Sequence, residues 1–222
     1  MTSLIKLMSL MAVFFASTFL VVNGLGWLSM ESIERWLTAA ESVNALVVAA
    51  IVISLLFLDL FIAVPTLSIM MLGGYFAGPY IGALAAFIGT FLAGVVGYGL
   101  SYFFGDQLLN VVIKDDAKQQ DLRHKFRKHG VLMILLSRAL PILPEVTACM
   151  SGISHMKFMT FVLSWIAVTL PYTLIAAYAG SISSLENPKP AILTAVLLTS
   201  FFWCGWLMLN RYGFRKAVNS EL

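Results

Sequence analysis

Between two apolar runs, Val131 to Leu136 and Val146 to Ile153, the chain reads Ser137-Arg-Ala-Leu-Pro-Ile-Leu-Pro-Glu145. No other stretch constrains the fold as strongly. Two prolines three residues apart remove backbone donors and break a helix. An arginine and a glutamate stand beside them, where hydrophobicity alone would place lipid. Charge at that depth is costly and is tied to function by default. Of the 222 residues, 60% are hydrophobic and 11% charged, against about 25% charged in a soluble domain. These values describe an integral membrane protein with room for one polytopic, all-α domain. The net charge is +3, but the basic residues gather near segment ends, so nucleic acid is not an expected partner. Cys149 and Cys204 lie in apolar runs without CxxC or metal-ligand spacing, which fits small packing residues.

Residues 4–28 form a first run of spanning length, and an end-of-helix pattern at Asn23-Gly-Leu-Gly-Trp27 favours its retention over cleavage as a signal peptide. Residues 29–43 are short and acidic, a loop or surface helix. Residues 44–78 are apolar but interrupted by Asp59 and Pro65, and end in glycine turns. Residues 80–104 span again, with glycines spaced for close helix approach. Residues 105–129 hold six lysines and arginines against four aspartates, and their apolar positions recur at helical spacing. This segment reads as an amphipathic helix at the membrane surface or a solvated linker. Residues 131–156 form the interrupted segment described first, 158–178 and 191–209 are further spans, and Arg211, Arg215 and Lys216 close the chain. The organisation expected is an N-terminal span and loop (1–43), a core (44–180), and a C-terminal span with a basic tail (181–222).

If 44–78 and 131–156 are re-entrant hairpins, four full spans remain. The strongly basic segments 105–129 and 211–216 then fall on the cytoplasmic side with both termini, as the positive-inside rule asks. The two hairpins take opposite orientations in that arrangement. They also align in sequence: Pro65-Thr-Leu-Ser-Ile-Met-Met-Leu-Gly73 against Pro144-Glu-Val-Thr-Ala-Cys-Met-Ser-Gly152. Six residues before each proline stands a charge, Asp59 in one copy and Arg138 in the other. Inverted repeats with broken helices are a common way to build a transporter site at the midplane. The expectation is that Asp59, Arg138 and Glu145 line one cavity, shaped by Pro65, Gly73, Pro141, Pro144 and Gly152. The rival is a buried Asp59–Arg138 ion pair that only fixes hairpin docking.

The run Gly130…Ser137-Arg-Ala-Leu-Pro…Pro144…Ser151-Gly-Ile-Ser-His-Met…Phe158 resembles the DedA family of VTT-domain (SNARE-associated) membrane proteins. Gly97-Tyr-Gly99, Phe104-Gly105-Asp106 and Val64-Pro65-Thr66 add to the likeness, which covers about residues 55–180. The resemblance implies two opposed re-entrant hairpins with transmembrane helices, and movement of lipids such as polyprenyl phosphates or phospholipids, with proton coupling in bacterial members. By that resemblance Arg138 matches the family's first essential arginine, and Asp59 the acidic residue before the first hairpin's proline. Three departures are visible. Glu145 stands where many members carry a second arginine, Thr66-Leu67-Ser68 is neutral where many carry an acidic residue, and Asp106 replaces an arginine after Gly105.

The expected function is therefore lipid transport, flippase- or scramblase-like, in a bacterial cell (inner) membrane. Membrane lipids and protons are the expected partners; homo-oligomers are left open. Without HExxH, GxSxG or a clear nucleophile no enzyme is expected, and no cofactor or metal either. The alternatives are a small-ion or proton-coupled solute transporter, an intramembrane lipid-phosphate enzyme, and a non-transporting assembly factor. His124, His129 and His155 lack ligand spacing, and Trp165 inside a span reads as packing.

Overall fold

The computed structural model describes residues 7–13, 17, 20, 30–41, 44–62, 64–113, 115–139, 143–183 and 189–218. Among these the secondary structure is helical throughout, with no strand. Helix α1 is Met30–Glu41, α2 Ala45–Leu58, α3 Thr66–Ala77 and α4 Pro79–Val112; α5 is Asp116–Leu136, followed by a 3-10 turn, Ser137–Ala139; α6 is Leu143–Ile153, α7 Phe158–Ser181 and α8 Lys189–Val218. Among the described residues, two segments are long and apolar enough to cross a membrane, Pro79–Gln107 and Phe158–Ser181. Helices α2, α3 and α6 have 14, 12 and 11 residues. At 1.5 Å per residue, each is shorter than the roughly 30 Å of a hydrocarbon core.

Both expected interruptions are present. After α2 the chain breaks over residues 59–65, and Pro65 precedes the first residue of α3. The second break follows the turn that carries Arg138, and Pro144 stands at the second position of α6, where a missing N–H costs nothing. Pro141 lies outside the described residues. Two boundaries differ from those read in the sequence. Residues 105–112 continue α4, and 116–129 continue without a break into 131–136 as the single helix α5. Polarity changes at Gly105 and Gly130, but no proline or cap stops the backbone there. Helix α4 stops instead at Ile113, and α5 starts at Asp115, whose carboxylate accepts the Ala117 and Lys118 N–H groups as an N-cap.

The helices pack through glycines where backbones nearly touch. A Cβ at Gly74 would collide with the backbone of Ala177, and one at Gly180 with that of Met71, so α3 and α7 lie backbone to backbone. Gly152 of α6 meets the Tyr98 carbonyl and the Tyr102 N–H of α4 in the same way. One apolar cluster joins Ile33 of α1 to Val52, Leu56, Ile69 and Met70 of α2 and α3. A second joins Leu7 to Leu109, Phe126, Val146 and Met150, from the end of α4, α5 and α6. A third, with Tyr98, Phe161 and Trp165, lies between α4 and α7.

Candidate functional site

Asp59 ends α2 and is buried. Its two oxygens are both occupied: Oδ1 accepts the Val64 N–H at 2.9 Å and Oδ2 accepts the Thr66 hydroxyl at 3.0 Å. The carboxylate thereby closes the break between α2 and α3 and holds the first turn of α3. Thr66, neutral in sequence, serves the site as the partner of Asp59.

Arg138 sits on the 3-10 turn before the second break. One terminal nitrogen donates to the Thr169 hydroxyl at 3.2 Å. Its guanidinium carbon lies 5.1 Å from the Tyr172 ring centroid and 5.7 Å from that of Trp165. Contacts of this length are cation–π interactions, strengthened when water is excluded. The Nε is buried without a partner. Among the described residues no direct ion pair joins Arg138 to Asp59 or Glu145. The rival reading, a buried Asp59–Arg138 ion pair, thus has no contact of ion-pair length behind it among the described residues.

Glu145 opens α6. Its carboxyl group and that of Asp59 line the same cavity. Asp59, Arg138 and Glu145 line one cavity together with Thr90 and Gly94 of α4 and Trp165 of α7. It encloses about 10 Å³, room for one water at most. Trp165 forms one wall: its indole N–H donates to the Thr90 carbonyl at 3.2 Å, and its ring lies where a Gly94 side chain would be.

Of the residues expected to shape the hairpins, Pro65, Gly73, Pro144 and Gly152 fall beside this cavity rather than in it. Pro65 and Pro144 bound the two breaks, and Gly73 and Gly152 bring α3 and α6 against α2 and α4. Sequence reasoning missed Thr66, Thr169, Tyr172 and the role of Trp165. A signal for three of them was present: 165, 169 and 172 are spaced i, i+4, i+7, one helical face. Among the described residues no group of acidic, histidine or cysteine side chains is arranged to hold a metal ion.

The fold and the site together define an all-helical membrane protein in which buried charge from two broken-helix units meets at one point. The chain belongs to the VTT-domain family, the DedA family: the family model, described as VTT domain, matches residues 64–182. The matched span contains Arg138 and Glu145 and begins just after Asp59. No curated protein and no solved structure matches the chain.

Proposed function

We propose that this protein moves lipids between membrane leaflets, as a flippase or scramblase, with Arg138 receiving the anionic headgroup of a polyprenyl phosphate or phospholipid. The observation that carries this reading is the meeting of Asp59, Arg138 and Glu145 at one cavity while, among the described residues, no carboxylate lies within ion-pair distance of the guanidinium. A guanidinium held by aromatic rings and one hydroxyl keeps donors free for a phosphate. Two carboxyls lining one buried cavity offer a place for one shared proton, which supports coupling of lipid movement to protons. In this proposal the units 44–78 and 131–156 are oppositely oriented re-entrant hairpins among four full spans, in a bacterial cell membrane with both termini cytoplasmic. Leu7 packs with α5 and Ile33 with α2 and α3. The protein performs no covalent chemistry.

A cavity of about 10 Å³ is too small for a headgroup, so lipid passage requires the hairpins to part. The same size favours a second reading, a proton-coupled transporter of a small solute. Reconstitution into liposomes tests both. Fluorescent phospholipid or polyprenyl lipid should cross between leaflets with the wild type and not with Arg138→Ala, and the wild-type rate should depend on pH. Equal crossing by the two proteins overturns the proposal; proton uptake without lipid movement favours the second reading. Because loss of a buried charge can cost about 3–5 kcal/mol, Arg138→Lys, which keeps the charge and loses the guanidinium fork, separates folding from function. Monodisperse protein without lipid flux is the expected result.

A further inference from the structure

The buried positions of α5, Gln119, Leu122, Phe126, Gly130 and Ile134, recur at three- and four-residue spacing and form one inward stripe. Arg123 flanks the stripe and donates to Asp106, so its charge is matched; the His155 Nε2 lies 3.5 Å from the same carboxylate. Arg127 stands one turn further along that flank. Arg127 and Lys128 are exposed, as is Lys157 at the entry to α7, and none of the three has an ion-pair partner among the described residues. The two segments adjoin, for a Cβ at Gly130 would lie 3.5 Å from the sulfur of Met156, the residue before Lys157.

Immediately beyond these cations the exposed side chains turn apolar on both segments: Val131 and Leu132 on α5, Phe158 and Met159 on α7. Exposed charge giving way to exposed hydrocarbon on two adjoining segments marks a water–lipid boundary. We propose that Arg127, Lys128 and Lys157 form a seat for the headgroup of an anionic lipid, which bridges α5 and the start of α7. Three unmatched cations complement a net negative headgroup and not a zwitterionic one. The adjoining apolar side chains select a lipid over a soluble anion, because an acyl chain covers them and a free anion leaves them bare. This seat is separate from the Arg138 cavity and holds whether or not the protein transports lipid.

The test is retention of spin-labelled phosphatidylglycerol against spin-labelled phosphatidylcholine by the full chain in phosphatidylcholine nanodiscs. The wild type should immobilise the anionic lipid preferentially. Each of Arg127→Gln, Lys128→Gln and Lys157→Gln should lower that preference by about fivefold, and the triple variant should abolish it. Added salt should weaken it as well. Lys118→Gln, whose ammonium is already paired with Asp115 on the same helix, should leave it unchanged. Should the triple variant aggregate, Lys157→Gln alone decides. Equal retention of the two lipids by the wild type, an unchanged preference in Lys157→Gln, or displacement of the lipid by millimolar inorganic phosphate each overturns the proposal.

Discussion

Thr66 sits seven residues from Asp59 and satisfies one of its oxygens. Thr66→Val keeps the shape and leaves that buried oxygen without its donor, at a cost of about 1–3 kcal/mol. Thermal unfolding in detergent should show a lowered Tm for Thr66→Val and a near wild-type value for Thr66→Ser. Gly73 and Gly152 occupy matching places in the sequence repeat but different surroundings. A Cβ at Gly152 meets backbone atoms of α4, which cannot yield, whereas at Gly73 the nearest atom is a Val52 methyl at 3.1 Å. Gly152→Ala should therefore lose about 1–3 kcal/mol and Gly73→Ala less, by the same melts. A loss at Gly73 equal to that at Gly152 would contradict this packing. Asp59, Arg138 and Glu145 were legible in the sequence because charge in an apolar run needs a reason. Thr66 and Thr169 were not: a threonine is unremarkable in a membrane segment, and its role depends on a partner brought near by folding.

At the scale of elements, both breaks were legible, since prolines and charges declare them locally. The ends of α4 and α5 were not, because a helix continues through a change of polarity unless a cap or a proline intervenes. The boundary between them lies at the Ile113 end of α4 and the Asp115 cap that starts α5. Asp115→Ala should speed hydrogen exchange at the Ala117 and Lys118 amides, while Asp115→Asn preserves most of their protection. Bonds from the Lys118 side chain and backbone and from the Ala117 N–H hold the Asp115 carboxyl below its ordinary range. A lowered folded value means that the stabilisation is complete above the ordinary carboxylate range and fades as pH falls through the lowered value. The cap should thus persist into mildly acidic solution, which exchange corrected for intrinsic pH dependence will show. Earlier loss of protection would mean that the cap does not form.

For the whole molecule, the proposed inverted arrangement makes a prediction about sides. In a variant with Cys149 and Cys204 replaced by serine, Glu34→Cys should react with an impermeant maleimide on intact cells, and Lys118→Cys only after permeabilisation. Labelling of both from outside would reject the arrangement. The backbone contact of Gly74 with Ala177 and of Gly180 with Met71 has a bearing on how the chain is made. Helix α3 is synthesised roughly a hundred residues before the α7 backbone against which it rests, a separation that slows assembly. Until residue 181 has left the ribosome, α3 holds a glycine, Gly74, shaped for a neighbour that does not yet exist. Biogenesis, rather than the finished fold, is then the stage at which this protein is most exposed to quality-control proteases. A chain truncated before Phe158 should be degraded far faster than one truncated after Ser181, and pulse-chase labelling will read the difference.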